Sequence, residues 1–395
     1  MKILIAEDDA ISRKLLQRRL EKWGHEVVEA RNGAEAWSIF EQEAFDMVIS
    51  DWMMPQMDGI DLIRRIRAKK NNNYVYTIIL TAKSLKEDLI AGMEAGADDF
   101  LTKPFDADEL KMRLRAGERI IELQKSLKEK NRVLENINAR IQHDLKMAAE
   151  IQKSLLPTRA PRLQNVQIEW FFQPCDELAG DIFNVFRLDE KHLGMYVLDV
   201  SGHGVAAALR SVTLSYLLSP SHMQAGLGLD FPNGTDESAM FSPAQVVNHL
   251  NQQFPLELNT GQFFTILYGI LNIPEKTFRY VSAGHPEIIL LNGDGIAEVI
   301  ENAALPVGIL EDYRYQENTL QLHSGNRMVL YSDGLVEAKN AGMEEFGKER
   351  LQRIMEEWRH RPLKEAIQAL TDELRRWKNG EHFEDDVTIL ALEIE

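Results

Sequence analysis

Five polar side chains each follow a short apolar segment in the first part of the sequence. Glu7 and Asp8 come after one such segment and Asp51 after another, while Thr81 and Lys103 follow two later ones. Carboxylate oxygens are the ligands that Mg²⁺ prefers in proteins. A threonine hydroxyl can donate to a phosphoryl oxygen, and a lysine supplies a mobile positive charge. These residue types therefore predict a cation site next to a group that could bind phosphate.

Each of these residues also has an ordinary structural explanation. Asp8 or Asp9 could cap a helix that begins near Ser12, and the pair Asp58-Gly59 could form a turn. Lys103-Pro104 could be a simple loop, although its peptide bond is a candidate for the cis form. Taken singly, these explanations are the better ones. Five such residues behind four apolar segments instead favour one shared site.

Four aspartates in the second half of the chain form another candidate set. Asp199 and Asp333 each end an apolar segment and stand near a glycine. Asp181 directly follows Gly180, and Asp385 begins an acidic pair. Carboxylates that meet in a β-rich fold repel one another unless cations neutralise them, and two metals could clamp a phosphoryl group. The spacing alone leaves an alternative open, since Asp-Gly pairs are more often turns than ligands.

The elements that must position the first set alternate between strands and helices up to about residue 115. This alternation predicts a doubly wound, five-stranded parallel α/β sheet, which binds ligands at the carboxyl ends of its strands. The predicted helices include Ser12–Lys22 and Ala34–Gln42. The predicted strands are Ile3–Ala6, Val27–Ala30, Met47–Ser50, Ile78–Leu80 and Asp99–Leu101.

Residues Ala107 to Leu155 predict one long helix, which precedes Pro157. Apolar residues recur in it at alternating spacings of three and four, the pattern of a coiled-coil seam, with Lys130 and Asp144 as polar interruptions. A helix packed on its own domain is the alternative, but a seam this long between two domains favours a two-stranded coiled coil. The seam consists of Ile120, Leu123, Leu127, Lys130, Leu134, Ile137, Ile141, Asp144, Ala148, Ile151 and Leu155.

From about residue 165 onward, strands outnumber helices and do not alternate with them. This pattern predicts an α+β domain, a β-sandwich flanked by helices. Ser219–Ser242 is rich in Gly, Ser, Pro and Asn and predicts a surface loop. The predicted strands are Gln167–Phe172, Leu193–Asp199, Phe263–Leu271, Phe278–Ala283, Met328–Tyr331 and Val387–Leu392, and the predicted helices are Gly204–Leu218, Pro243–Phe254 and Lys348–Trp358.

The first 120 residues or so resemble the receiver domain of bacterial response regulators. The resemblance is carried by Glu7-Asp8, Asp51-Trp52-Met53-Met54-Pro55-Gln56-Met57-Asp58-Gly59, Thr81-Ala82 and Lys103-Pro104-Phe105. It implies that Asp51 accepts a phosphoryl group from a sensor histidine kinase. It also implies that Glu7, Asp8, Asp51 and the carbonyl of Met53 hold Mg²⁺. Thr81, Lys103 and Phe100 would form the receiver switch, although Phe100 could equally be a core residue.

The region from Ala148 to Glu395 resembles the metal-dependent type 2C serine/threonine phosphatases, and more narrowly their SpoIIE-like bacterial branch. The resemblance is carried by Gln152-Lys153-Ser154-Leu155-Leu156-Pro157, Ala179-Gly180-Asp181, Asp199-Val200-Ser201-Gly202-His203-Gly204, Phe264-Thr265, Ser282-Ala283-Gly284-His285-Pro286, Tyr331-Ser332-Asp333-Gly334 and Asp385-Asp386-Val387-Thr388. It implies two Mn²⁺ or Mg²⁺ ions, with Asp199 bridging both. Asp333 and Asp385 would complete one metal site, and Asp181 and the Val200 carbonyl would serve the other.

Some positions depart from the wider phosphatase family. Asn184 stands where an aspartate is common, and Ser201 stands where relatives place a histidine that protonates the leaving group. No counterpart of the phosphate-binding arginine of eukaryotic relatives is found. His203 could replace the missing acid or could cap a helix, and His285 is expected to be structural. Cys175 could be a nucleophile but is expected to be a small buried residue.

Composition and charge narrow the classes of function. A net charge of −17 disfavours nucleic-acid binding, because a duplex would repel the chain. The longest apolar stretch, Phe263 to Leu271, is too short to span a membrane, and a single cysteine fits a reducing compartment, so we expect a cytoplasmic protein. We expect three regions: a receiver over 1–118, a helical coiled-coil linker over 119–156 and a phosphatase over 157–395.

Together these features predict a two-component response regulator that dephosphorylates phosphoserine or phosphothreonine on a protein. Phosphorylation of Asp51 would regulate this activity, and the resemblance implies an anti-sigma-factor antagonist as the substrate. We also expect a parallel homodimer through the linker helix. The alternative is an adaptor whose phosphatase-like domain is inactive and only binds a partner. The complete set of metal-site aspartates argues against that alternative.

Overall fold

The computed structural model describes residues 1–69, 73–82, 92–161, 163, 165–220, 242–256, 261–380 and 382–395. The chain forms two compact units, Met1–Arg140 and Ile141–Glu395. One long helix continues through the boundary between the units. In the described ranges, every helix is too short or too polar to cross a membrane.

A five-stranded parallel sheet lies at the centre of the first unit, in the order β2-β1-β3-β4-β5. All four neighbouring pairs are parallel, so the carboxyl ends of the strands share one edge. The predicted doubly wound fold is confirmed. The strands are β1 (Lys2–Ala6), β2 (Glu26–Ala30), β3 (Met47–Asp51), β4 (Tyr76–Thr81) and β5 (Asp99–Thr102).

Three helices with polar N-caps pack on this sheet. They are α1 (Ala10–Lys22), α2 (Gly33–Gln42) and α3 (Gly59–Ala68). Asp9, rather than Asp8, caps α1, because its Oδ1 accepts a hydrogen bond from the Ser12 amide at 2.8 Å. Apolar residues of the helices and strands form separate buried clusters on the two faces of the sheet.

The helix α4 (Ala107–Lys153) contains 47 residues and changes character along its length. Its first turns are buried, since Leu110, Leu114 and Ile121 join the core of the first unit. Most seam residues are exposed in the single chain, whereas Ala148 and Leu155 are half-buried, so the coiled coil stays a prediction. Those that keep 37% or more of their surface exposed are Ile120, Leu123, Leu127, Leu134, Ile137, Ile141 and Ile151.

Two five-stranded antiparallel sheets form the second unit. Their strand orders are β13-β10-β9-β8-β7 and β12-β11-β14-β15-β6. The strands are β6 (Val166–Gln173), β7 (Ile182–Arg187), β8 (His192–Val200), β9 (Phe264–Asn272), β10 (Thr277–Ala283), β11 (Ile288–Leu291), β12 (Ala297–Ile300), β13 (Asn318–Gln321), β14 (Arg327–Tyr331) and β15 (Val387–Ile394).

The two sheets pack face to face, with helices on their outer faces. Phe183 and Met195 of one sheet meet Leu330 and Leu390 of the other in a shared buried core. The helices α5 (Val205–Leu217) and α6 (Pro243–Gln253) cover the first sheet. The short α7 (Asp333–Val336), α8 (Lys348–Glu357) and α9 (Leu363–Trp377) pack on the second. The predicted sandwich flanked by helices is confirmed.

The sequence analysis gave no bounds for several elements. They are α3, β7, β11, β12, β13, α7 and α9. The predicted loop Ser219–Ser242 lies for the most part outside the described residues, because 221–241 are not among them. The other predicted strands and helices are present, with bounds that differ by no more than two residues.

Candidate functional site

The first candidate site lies at the carboxyl edge of the parallel sheet. Glu7 and Asp8 follow β1, and Asp51 ends the adjacent strand β3. One carboxylate oxygen from each of the three residues lies within 4.8 Å of the others. Glu7 is buried and Asp8 is exposed, so the cluster runs from the sheet to solvent. Parallel pairing therefore brings together carboxylates from two distant segments.

Lys103 follows β5 and supplies positive charge to this cluster. Its Nζ atom donates to Oε2 of Glu7 at 2.6 Å and to Oδ2 of Asp51 at 2.8 Å. Burial raises the pKa of Glu7, and the Lys103 ammonium only partly offsets that rise. Burial also lowers the pKa of Lys103, but hydrogen bonds to Asp51 and Glu7 outweigh it, so that pKa is raised. The Lys103-Pro104 peptide bond, which was a candidate for the cis form, is cis.

The other predicted residues of this site occupy the neighbouring strand ends. Thr81 ends β4 and is buried. Phe100 pairs with Ile79 across β4 and β5 and packs, partly buried, against a cluster that includes Trp52. Met53 follows β3 with 63% of its surface exposed, and the role predicted for its backbone carbonyl stays a prediction. Phe100 therefore combines contact with the core and a position at the edge of the sheet.

A close backbone contact fixes the start of α3 beside Asp51. Asp58 caps this helix, since its Oδ1 accepts from the Asp61 amide at 2.8 Å. A Cβ atom on Gly59 would lie 2.2 Å from the backbone oxygen of Asp51. Only glycine permits this approach, because Cβ atoms do not come that near to a carbonyl oxygen. Asp58-Gly59 is thus a helix start that holds the Asp51 strand end, and not only a turn.

The second candidate site lies at strand ends of the sandwich. Asp181 immediately precedes β7, and Asp199 is the next-to-last residue of β8. The two strands pair so that Ile182 lies opposite Leu198, which places the aspartates at neighbouring strand ends. Asp181 is only 1% exposed, and its Oδ2 accepts from Oγ1 of Thr388 at 2.5 Å. Thr388 of the second sheet therefore contacts the aspartate that precedes β7 of the first sheet.

Asp333 and Asp385 come from the second sheet. Asp333 begins α7 directly after β14, and Asp385 precedes β15, the strand that pairs with β14. A Cβ atom on Gly334 would lie 2.1 Å from the backbone oxygen of Asp386. As at Gly59, only glycine fits, because the start of the helix lies in close contact with the backbone of a neighbouring acidic segment. This contact fixes the position of Asp333 relative to Asp385.

Burial, together with neighbouring carboxylates, raises the pKa values of the four aspartates of this site. Burial, with the charges of Asp333 and Asp385, raises the pKa of Asp199 to about 8. Burial and Asp199 hold the pKa of Asp181 well above its usual value. Burial and Asp385 raise the pKa of Asp333 to about 6. Asp385 is exposed as a residue, yet partial burial of its carboxylate still raises its pKa.

These donors fit divalent metal ions. Within the described ranges, none of the ion pairs joins a lysine or arginine to Asp181, Asp199, Asp333 or Asp385. Divalent cations would remove the mutual repulsion, and Mg²⁺ and Mn²⁺ take oxygen ligands of this kind. The Val200 carbonyl is also near, because a Cβ on Gly180 would lie 3.0 Å from its oxygen. The carboxylates around Asp51 fit one such ion on the same chemical grounds.

A third group of donors does not fit a metal. Ligand atoms of Cys175, Asp385 and Asp386 lie within 4.8 Å of one another. Burial and Asp386 raise the pKa of the Cys175 thiol to about 12, so the thiol stays protonated at neutral pH. Asp386 is occupied, since Oδ1 accepts from the Cys175 amide at 2.8 Å and Oδ2 from the Gly180 and Asp181 amides at 2.7 and 3.2 Å. The resemblance implied Asp385, and not Asp386, as a metal ligand, and gave no role to Asp386.

Two histidines near the second site differ in exposure. Nδ1 of the exposed His203 lies 3.3 Å from Oδ2 of Asp176. His285 is buried, and its Nδ1 lies 2.8 Å from Oγ1 of Thr265, which pairs with Asp199 across β8 and β9. Burial lowers the pKa of His285 to about 3, so its ring is neutral. His285 therefore contacts a residue beside Asp199 as an uncharged group.

Gln152, in the last turn of α4, contacts the segment that carries Asp181. Its Nε2 donates to the Ala179 carbonyl at 2.6 Å and to Oγ of Ser211 at 3.0 Å. The Ala179 amide donates back to Oε1 of Gln152 at 3.0 Å. Gln152 is 5% exposed, so these bonds form away from water. The segment from Gln152 to Pro157 was part of the phosphatase resemblance, but the sequence did not indicate this contact of Gln152.

Comparison with known families matches a different family to each of the two parts of the chain. Residues 3–115 match the response regulator receiver domain, and residues 189–395 match the Stage II sporulation protein E (SpoIIE) family. The phosphoserine phosphatase RsbU of Bacillus subtilis (strain 168) is 27% identical over 267 residues, which cover 67% of this chain and 74% of RsbU.

Two further relatives cover one region each. The probable transcriptional regulator ycf27 of Guillardia theta is 45% identical over 115 residues, which cover 29% of this chain and 44% of ycf27. The chain therefore spans less than half of that protein. The structure of the SiaA-PP2C domain of Pseudomonas aeruginosa matches with a TM-score of 0.55 at 21% identity, covering 66% of this chain and 99% of that domain. At this identity the similarity shows the fold alone.

Proposed function

This chain belongs to the SpoIIE family and carries a receiver domain at its N-terminus, and from that premise we propose a serine/threonine protein phosphatase regulated by phosphorylation of Asp51. The observation that carries the proposal is the electrostatic influence of Asp181, Asp199, Asp333 and Asp385 on one another, although they come from four separate segments. Besides burial, the charge of Asp199 raises the pKa of Asp181, and the charges of Asp333 and Asp385 raise that of Asp199, so a divalent cation would relieve this repulsion.

In this proposal, the four aspartates and the Val200 carbonyl would hold two Mn²⁺ or Mg²⁺ ions. Asp199 would serve both sites, Asp333 and Asp385 would complete one, and Asp181 and the Val200 carbonyl would complete the other. Bound metals would supply positive charge for the phosphoryl oxygens and would lower the pKa of the attacking water. Thr388 holds Oδ2 of Asp181 in place by a hydrogen bond. Water attacks the phosphorus, the bond to the serine or threonine oxygen breaks, and no covalent enzyme intermediate forms.

The receiver half of the proposal rests on the contacts of Lys103. A carboxylate oxygen of Asp51 attacks the phosphorus of a phosphohistidine on a sensor kinase, and the phosphorus–nitrogen bond breaks. Glu7, Asp8, Asp51 and the Met53 carbonyl would hold Mg²⁺ there, and Lys103 is placed to contact a new phosphoryl oxygen on Asp51. Thr81 and Phe100 would respond as the switch pair.

Regulation would pass through α4. Most apolar seam residues of this helix, from Ile120 to Ile141, are exposed at heptad spacing, which supports a parallel homodimer in which two seams pair. At its C-terminal end, Gln152 is bonded to Ala179, two residues before Asp181. A change in the helix could therefore alter the position of a metal ligand. Sedimentation that gives a monomer at micromolar concentration would contradict the dimer.

The substrate we propose is a phosphorylated anti-sigma-factor antagonist in the cytoplasm. RsbU, the relative that covers the phosphatase region, is a phosphoserine phosphatase, which supports this class of substrate. The test is Mn²⁺-dependent release of phosphate from a phosphoserine protein, measured with and without beryllofluoride as a mimic of phosphorylated Asp51. Metal-dependent hydrolysis that changes with beryllofluoride supports the proposal. A metal-free purified chain without activity would instead favour an adaptor.

A further inference from the structure

Three consecutive acidic residues lead into β15, and their side chains have different partners. Glu384 contacts Lys378, whose Nζ donates to Oε1 of Glu384 at 2.6 Å. The Lys378 side chain is only 1% exposed, whereas that of Glu384 is 60% exposed. This ion pair lowers the pKa of Glu384. A lysine at the end of α9 is thus buried with its ammonium directed to the residue before Asp385.

The residue after Asp385 is anchored on the opposite side. Both oxygens of Asp386 are engaged by the backbone amides of Cys175, Gly180 and Asp181. An ionised carboxylate offers about four acceptor positions, so three of them are already used. Asp386 is 3% exposed, and its own amide donates to Oδ1 of Asp385 at 2.8 Å. Its carboxylate therefore has little capacity left to bind a metal.

We propose that Glu384 and Asp386 are positioning residues that hold Asp385 between two anchors. Lys378 fixes the residue before it, and the amides of residues 175–181 fix the residue after it. This inference rests on the proposed function, in which Asp385 is a metal ligand. An exposed aspartate ahead of a strand would otherwise be free to turn toward water. Asp386 also orients the segment that carries Asp181, so one carboxylate aligns ligands from both sheets.

The inference predicts an effect on metal affinity and not only on folding. Groups that orient a metal ligand typically change metal affinity by about 10- to 100-fold when removed. Glu384→Gln and Asp386→Asn should each raise the Mn²⁺ concentration for half-saturation by about tenfold. The kcat at saturating Mn²⁺ should stay within about threefold of the unsubstituted chain, because the ligands themselves remain.

The experiment compares substitutions along this segment in the full-length chain. The variants are Glu384→Gln, Asp386→Asn, Asp385→Asn, Lys378→Met and Lys378→Arg. Glu365→Gln is the matched control, since Glu365 of α9 forms an exposed ion pair with Arg361, which precedes that helix. Mn²⁺ binding is measured directly by electron paramagnetic resonance of the free ion, and hydrolysis of p-nitrophenyl phosphate is measured over a range of Mn²⁺ concentrations. Thermal melting without metal reports stability separately.

The expected result is weaker Mn²⁺ binding for Glu384→Gln, Asp386→Asn and Lys378→Met, with Lys378→Arg in between and Glu365→Gln unchanged. Unchanged Mn²⁺ binding in both Glu384→Gln and Asp386→Asn, even with lower melting temperatures, would overturn the inference. Loss of one bound Mn²⁺ in Asp386→Asn would overturn it too, because Asp386 would then be a ligand. If Asp385→Asn binds Mn²⁺ normally, the metal assignment in the proposed function is wrong, which is a separate failure.

Discussion

In the parallel-sheet unit, Lys103 donates to both Glu7 and Asp51, whereas the aspartates of the sandwich unit form no ion pair with a lysine or arginine in the described ranges. Burial raises the pKa of Glu7 in the first site and raises that of Asp199 to about 8 in the second. The first site thus contains part of its own neutralising charge, while under the proposed function the second would take its charge from metal ions in solution. If Asp51 exchanges a phosphoryl group as proposed, a lysine that can change partners suits that exchange.

The contrast between the two sites assumes that Asp51 is the residue that becomes phosphorylated. Asp51→Asn should abolish incorporation of phosphate from acetyl phosphate and Mg²⁺, because the amide is a poor nucleophile. Intact-protein mass spectrometry measures this. Asp58→Asn is the control, since Asp58 caps α3 close to the site without belonging to the carboxylate cluster. Equal phosphorylation of Asp51→Asn and the unsubstituted chain would refute the assignment.

The metal dependence of the second site should be nearly complete. Asp199→Asn should lower Mn²⁺-dependent phosphatase activity by more than about 100-fold, because even residues that only orient ligands cost about 10- to 100-fold. Phosphate release from a phosphoserine protein measures this loss. Asp189→Asn is a matched control in the same unit, since Asp189 pairs with His192 in the turn before β8. Activity retained by Asp199→Asn would remove Asp199 from the site.

Both sites share a glycine at a helix start, and this similarity can be tested by adding one methyl group. In Gly59→Ala and Gly334→Ala the Cβ would meet a carbonyl oxygen at 2.2 and 2.1 Å, so the backbone must shift. Each should lower the free energy of unfolding by about 1–3 kcal/mol. Gly334→Ala should also reduce activity about tenfold or more, as misplaced catalytic groups do.

The control for these glycine substitutions is Gly293→Ala. The nearest atom to a Cβ at Gly293 is the Ser324 carbonyl oxygen at 4.0 Å, so the methyl group fits. Its effect on the free energy of unfolding should stay within about 1 kcal/mol. Urea denaturation followed by circular dichroism measures all three variants. A Gly334→Ala chain as stable and active as Gly293→Ala would show that the close approach is unimportant.

The smallest effect that we expect is a loss of folding stability at acid pH, caused by a buried histidine of the sandwich unit. Burial lowers the pKa of His285 to about 3, so the unfolded chain takes up a proton near pH 6.5 that the folded chain does not. The free energy of unfolding therefore falls as the pH drops below about 6.5, by at most about 2 kcal/mol between pH 6.5 and 5. Urea denaturation in EDTA should show a flatter pH dependence for His285→Gln. The same slope in both chains would contradict this.

Sequence patterns identified the residues of the first candidate site more readily than residues such as Asp386 that hold other groups in place. Glu7, Asp51 and Lys103 were found because each follows an apolar strand, and strand order then brings them together. Asp386 and Gln152 gave no such signal, since their partners lie far along the chain or are backbone atoms. Hydrogen bonds of Asp386 to residues 175–181 depend on the pairing of β15 with β6, which local patterns do not contain.

Two of the strands were not predicted, for two different physical reasons. Strand β7 is buried on both faces, with Ile182 and Phe183 in different cores, so it lacks the alternation that marks a half-buried strand. Strand β13 is a mostly exposed edge strand with few apolar residues. Helix α9 is different, because Leu363, Ile367, Leu370 and Leu374 carry a clear helical spacing. That helix could have been predicted.

The uninterrupted helix α4 has a consequence for how such chains can evolve. Helix α4 continues without a break across the boundary between the units, so a change in its length rotates its seam by a fixed amount. Seven residues advance a straight helix by about two full turns, within about 20°. Gain or loss of whole heptads would therefore leave the seam on nearly the same face of the helix. Exchange of the N-terminal unit for another that ends on a helix in phase would preserve the seam in the same way. The relatives that match one region each fit such exchange.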